Sequence, residues 1–251
     1  MTTIAPASHS KRLSRVVRIH LVSRMTFIGI PLIVLGVAWV ISGAVFFLIG
    51  STVPGGDAMD LRDASRNSWA VLSPVWYLIS AGALAFAGTF PFALGMGSTR
   101  RDFHFGTTIL FVLVSAGFSL FLTVMAAVER ATSGWGINNW MFNGVWIGLD
   151  SVFVDFYSLF VVHLLALFTG AAAATLWFRW KALGVIGFIA VCSAALIGGL
   201  AAIGYSDAGW EGFFMWASTL GFAGMFTLLL IPVGVMFLVS FIMNRFATPK
   251  Q

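Results

Sequence analysis

Few side chains in this chain could do chemistry. Of the four histidines, only His163 falls well inside a long apolar run, and a histidine held at such depth can ligate haem, line a pathway, or sit neutral and hydrogen-bonded in the interior. Haem ligation by two histidines needs a second ring at matching depth. His20 and His104 belong to the margins of apolar runs and His9 to the polar start, so His163 reads as an interior or pathway-lining residue. Asp155 stands too near the end of its run to serve as a midplane carboxylate, which disfavours ion-coupled transport. The ten methionines form no Met/His cluster that would hold copper. The single cysteine, Cys192, gives no disulfide framework and no thiol metal site, and reads as a small packed apolar side chain. No phosphate-binding glycine loop, zinc-binding H-E-x-x-H helix or G-x-S-x-G elbow occurs. The chain carries no catalytic set of its own, and any energy it uses must be supplied from elsewhere.

The elements that hold these residues follow from hydropathy and charge. With 59% apolar residues, 9% charged residues and a mean hydropathy of +0.97, the chain is far from a soluble domain, whose charged share is about 25%. Six apolar runs, near 26–50, 70–95, 107–128, 153–178, 184–203 and 218–243, each have the ~20 residues a helix needs to cross ~30 Å of hydrocarbon. All 14 Lys and Arg except Arg62, Arg66 and Arg130 fall in the N-terminal arm, the second and fourth breaks and the tail. The positive-inside bias therefore puts both termini in the cytoplasm. The predicted fold class is all-α, a polytopic membrane protein with six transmembrane helices, both termini cytoplasmic and an N-terminal amphipathic interfacial helix. Its domains are a cytoplasmic arm over 1–24, a six-helix transmembrane domain over 25–246 and a cytoplasmic tail over 247–251. The first run is too long for a cleavable signal core and reads as a retained span. This pattern points to a bacterial cytoplasmic (inner) membrane. The net charge of +5 borders the spans rather than forming a stripe, which favours the lipid bilayer and an acidic cytoplasmic protein over nucleic acid.

Residues 1–10 are polar and predicted disordered. From Lys11 to Arg24, Leu13, Val16, Val17 and Leu21 share a helical face opposite Arg12, Arg15 and Arg18, so this helix should lie along the cytoplasmic leaflet. The first external loop, 51–69, should hold a short surface helix. The second, 129–151, is aromatic and apolar through three Trp with Met141, Phe142, Val145 and Ile147, and should lie on or dip into the outer membrane interface. The third, 204–217, has the same character and the makings of a re-entrant helix. Small residues crowd the second span from Ala81 to Gly88 and the fifth from Ala194 to Ala202, letting helices approach closely, within the chain or across a subunit seam.

The break between the second and third spans, Met96 to Thr107, reads MGSTRRDFHFGT. It resembles the connection L-P-x-S-R-[RK]-[DE]-[FY]-x-x-G-K of ABC-2 type transporter permeases through Ser98, Arg100, Arg101, Asp102, Phe103 and Gly106. It departs from that pattern in lacking the proline near Gly97, in the extra Thr99 and in Thr107 where lysine is common. The bare alternative is a topogenic turn with a helix cap at Asp102. The resemblance implies a membrane-spanning permease subunit of an ATP-driven exporter for a drug, lipid or peptide. Its partners would be a cytoplasmic ATP-binding subunit and a second permease copy, with ATP and Mg on the partner and no cofactor on this chain. It further implies that part of 89–101 forms a short coupling helix, with Arg100, Arg101, Asp102 and Phe103 as the ATPase-coupling residues. The translocation path would run past Phe86, Thr89, Phe90, Phe188, Ser193 and His163. The rival expectation is a membrane anchor or cofactor-binding subunit of a respiratory or cell-envelope complex. A third is a small intramembrane enzyme using His163 or Asp155.

Overall fold

A computed structural model describes residues 9–52 and 58–246. They form helices and turns, with no strand among them. In chain order these are α1 (His9–Val22), a π turn (Met25–Gly29) running into α2 (Ile30–Thr52), α3 (Ala58–Arg66), a 3-10 turn (Ala70–Leu72) leading to α4 (Ser73–Gly95), α5 (Arg100–Ala131), a second π turn (Gly134–Asn138), α6 (Val152–Gly204), α7 (Gly209–Leu228) and α8 (Leu230–Phe246). The predicted disorder of 1–10 and the tail at 247–251 fall mostly outside the described residues.

Five helical stretches are long and apolar enough to cross a membrane: Met25–Thr52, Arg62–Gly95, Arg100–Ala131, Val152–Gly204 and Gly209–Arg245. The fourth and fifth apolar runs are joined in α6, which is 53 residues long. Lys181 interrupts it with φ 55° and ψ −141°, a conformation that costs an L-residue strain. A Cβ on Gly184 would sit 2.8 Å from the carbonyl oxygen of Leu176, whereas eight residues of straight helix advance ~12 Å. The chain thus turns sharply back on itself between the legs 152–180 and 182–204. The last stretch is also divided, by Gly221 at φ 62° and ψ −178° and by a turn at Leu229.

The first leg of α6 is the hub of the bundle, packed on α4, α5 and α8. One core cluster joins Leu78, Ala81, Ala85, Phe86 and Phe90 of α4 to Phe111 of α5, Leu167, Phe168 and Ala171 of α6 and Met236 of α8. The small residues of the second span find their partner here, against Gly170, Ala171 and Ala172. Those of the fifth span do not: no residue from 177 to 232 is buried, and Cys192 is exposed rather than packed as its type suggests.

The predicted surface helix of the first loop is α3. The second loop differs from expectation. Met141, Phe142 and Ile147 are buried and pack with Leu35, Val71, Leu122, Ala126 and Leu159, so these side chains turn onto the bundle rather than out to the interface. Burying them removes more apolar area from water than the membrane–water boundary would. In the third loop, α7 begins at Gly209 and runs helical to its break at Gly221.

Candidate functional site

The turn from α4 to α5 gathers most of the sequence-predicted residues. α4 runs through Pro91 to Gly95, so no separate short helix forms between Thr89 and Arg101. The chain then turns at Gly97, whose φ of 77° suits glycine. Thr99 caps α5, its Oγ1 accepting from the backbone N–H of Asp102 at 3.0 Å. The Thr-x-x-Asp spacing is that of a capping box and sets a carboxylate on the positive end of the helix dipole. The cap is thus Thr99, with Asp102 in the first turn.

Each basic and aromatic residue of this turn then has a distinct place. Arg100 Nη1 donates to the carbonyl oxygens of Asn244 at 2.9 Å and Arg245 at 3.2 Å, and Asn244 Nδ2 donates back to the Arg100 carbonyl at 3.0 Å. A cation thereby satisfies the last carbonyls of α8. The Arg100 guanidinium also lies 5.7 Å from the Phe90 ring centroid. Asp102 is buried. Arg101 is exposed, over the ring of Phe105 at 5.7 Å. Phe103 is wholly buried and meets Phe86 and Phe90 edge to face, with centroids 5.3 Å and 5.2 Å apart. Two groups that the sequence treats as separate, the coupling residues and part of the path, are therefore one aromatic cluster.

α1 is docked onto this cluster rather than only resting at a membrane surface. Val16 is fully buried against Gly106, where an added Cβ would lie 2.6 Å from the valine Cβ. His20 is buried beside Phe103 and Phe27. Its Nδ1 lies 2.9 Å from the carbonyl oxygen of Val16, while Nε2 reaches α4, 3.0 Å from Thr89 Oγ1 and 3.2 Å from the carbonyl oxygen of Ala85. Arg15 and Arg18 stay exposed on the other face. Arg12 belongs to α1, and its side chain lies outside the described residues.

Burial pushes the His20 pKa below its usual 6.5, outweighing the backbone contacts with Val16 and Ala85 that raise it. The unfolded chain therefore takes up this proton more readily than the folded one, so stability rises with pH up to about 6.5 and falls as acid is added below it. Release of α1 between pH 7.5 and 5.5 is the expected result, seen as faster proteolysis at Arg15 and Arg18. His20→Phe should remove the pH dependence; an unchanged acid response in that variant would show that another group is responsible.

The remaining path residues do not share a surface. Phe86 and Phe90 are core, and Thr89 is half-buried. Phe188 lies in an apolar groove of about 440 Å3 with Trp180 and Gly184 at the reversal of α6, and Ser193 is exposed beyond it. His163 is wholly buried against Phe118 at 6.0 Å, with Nδ1 2.6 Å from the Leu159 carbonyl oxygen and Nε2 without a hydrogen-bond partner. His104 is also buried, caged by Phe86, Phe237 and Phe241, and neither ring nitrogen has a partner. His104 and Phe118 are separated by ~21 Å of helix rise on α5, so His104 and His163 cannot ligate one haem iron. No group of three His, Cys, Asp or Glu that could hold a metal occurs among the described residues.

A second polar centre, at the other end of the bundle, escaped sequence reasoning. Glu129 is wholly buried at the end of α5. Its Oε1 accepts from Trp135 Nε1 and from the backbone N–H of Phe142, both at 3.1 Å, and its Oε2 from the backbone N–H and Nδ2 of Asn143 at 2.7 Å and 2.8 Å. Arg130 donates to Asn143 Oδ1 at 2.6 Å and approaches Asp155 at 3.9 Å, while Asp155 accepts from the Gly148 backbone at 2.9 Å. Arg66 Nε donates to the Asn143 carbonyl at 3.0 Å, tying in α3. Asp155 and Glu129 are thus fastenings of the 132–151 cap, and their only sequence signal was an acid beside Trp- and Asn-rich sequence. No protein-family model, curated protein or solved structure matches this chain.

Proposed function

We propose that this chain is the six-pass permease subunit of an ATP-driven exporter in a bacterial cytoplasmic membrane, with both termini in the cytoplasm. The observation that carries this reading is the joint at the α4–α5 turn. Arg100 links the start of α5 to the end of α8, His20 links α1 to α4, and Phe103 fills the centre. A force applied to this one turn reaches four helices through packed side chains and hydrogen bonds. Met96, Gly97, Thr99 and Arg101 are exposed on it and offer a contact surface to a partner. Hydrolysis of ATP with Mg takes place on that partner, and this chain is the conduit, binding no cofactor. A second permease copy covers the unburied stretch 177–232. The apolar grooves favour a hydrophobic or amphipathic cargo.

Purification from native membranes should recover a soluble ATPase with the chain. Arg101→Glu leaves the core untouched, because the side chain is exposed, and should cut ATPase recovery ~fivefold or more, the equivalent of ~1 kcal/mol for one charged contact. A functional unit isolated without any ATPase overturns the reading. The rival, a cofactor-binding anchor subunit, draws its support from the unpartnered Nε2 of His163 and would show itself as visible-range absorbance.

A further inference from the structure

α2 packs on α4 and the outer turns but makes little contact with α5. The gap between α2 and α5 has glycines on both walls: a Cβ on Gly36 or Gly117 would have no atom within 4 Å. A hollow of about 340 Å3 lies between Phe27, Leu32, Gly117 and Phe121, and one of about 370 Å3 continues it from Leu32 and Phe121 past Gly36 to Trp135. Together they make a slot along the α2–α5 seam, lined almost wholly by apolar side chains.

The two ends of the slot differ. At one, Trp39 and Trp135 meet edge to face at 5.5 Å. At the other, Phe27 follows the exposed Arg24 in the chain, and Leu110 adjoins Ile109, which shares a hollow with Arg18 of α1. From Phe27 to Trp39 the helix rises ~18 Å, somewhat more than half of a ~30 Å hydrocarbon core. An empty cleft of this kind would forfeit dispersion contacts along both walls, and lipid chains are the only abundant filler at that depth. Arg18, in the hollow it shares with Ile109, and Arg24, three residues before Phe27, are exposed cations, the chemistry that matches a phosphodiester.

We propose that the α2–α5 slot binds one acyl chain of an anionic phospholipid, with its phosphate held by Arg18 and Arg24. The site needs only that the bundle sits in a bilayer, so it stands or falls independently of the ATPase partner. The full chain is reconstituted in vesicles of equal parts phosphatidylglycerol and phosphatidylethanolamine, one or the other carrying a photoreactive acyl chain, then extracted for native mass spectrometry and peptide mapping. Wild type should retain phosphatidylglycerol preferentially and carry photoproducts on the α2 and α5 walls. Gly117→Leu, which fills the slot while improving helix propensity, should abolish that retention with no loss of thermal stability. Arg18→Gln and Arg24→Gln should each weaken the preference for phosphatidylglycerol ~fivefold, the equivalent of ~1 kcal/mol per cation near an anionic headgroup, while photoproducts stay on the same walls. Equal retention of both lipids by wild type, unchanged retention in Gly117→Leu, or photoproducts absent from α2 and α5 would overturn the site. So would a cross-linked second copy of the chain at Gly117 in place of lipid.

Discussion

Glu129→Ala should lower the thermal midpoint of the purified protein by about 10 °C, because four donors lose their acceptor at once. Each buried donor left unpaired costs ~1–3 kcal/mol. Water entering the vacated space recovers part of that, leaving a net loss of ~4 kcal/mol, and ~1 kcal/mol moves the midpoint by ~2–4 °C in a chain of this size. Glu129→Gln should fall between the two, since its amide keeps one acceptor oxygen but points a donor at the Asn143 N–H groups. The loss should be local first, with protease cutting within 132–151 before the bundle melts. A midpoint within about 2 °C of wild type would mean that the cap is held by its apolar contacts alone.

The second large effect concerns the crossing of α4 and α6. A Cβ on Gly170 would lie 2.8 Å from the Ala83 nitrogen and 2.9 Å from the Ile79 carbonyl carbon, and closer still to the Ile79 oxygen. A Cβ on Gly82 would meet the Leu167 backbone in the same way. These neighbours are helix backbone, which no rotamer change can move aside. Gly170→Ala and Gly82→Ala should therefore each destabilise by ~3 kcal/mol, the upper end of the usual range for overpacking. That is against the ~1 kcal/mol gain that alanine brings to a helix interior. The double variant should cost less than the two combined, because one separation of the helices relieves both contacts. Gly88→Ala is the control: nothing lies within 4 Å of its Cβ position, so it should be neutral or stabilising. Equal midpoints for all four proteins would show that the helices do not cross this closely.

What could be read from the sequence divides along the range of the interactions concerned. The apolar runs were legible because length and hydropathy are local, and so was the division of α6, since Arg179 and Lys181 interrupt its hydropathy where the chain reverses. The T-R-R-D start of α5 is also local. Read as a family motif it suggested a separate coupling helix, whereas the hydrogen bond from Asp102 to Thr99 makes it a helix cap. The roles that sequence missed all depend on distant partners. Glu129 stands at the margin of an apolar run and Asp155 near the end of another, and nothing in their spacing announces Asn143, Gly148 or Arg66. Phe86 and Phe90 sit on a span of uniform hydropathy, where periodicity cannot tell a core face from an open one. The α2–α5 gap was likewise hidden, because Gly36 and Gly117 gain meaning only once their helices are set side by side.

The reversal at Lys181 has a mechanical corollary. In the proposed six-pass arrangement, the leg 182–204 would span roughly 34 Å at ~1.5 Å per residue, a few ångströms beyond an average hydrocarbon core of ~30 Å, and mismatch of this kind is relieved by tilting. The leg before the reversal is locked by its neighbours, whereas the one after it is unburied throughout. Thin membranes would thus lean this leg over, together with a second copy packed on it, and thick ones draw it upright, making bilayer thickness a lever on the angle at Lys181.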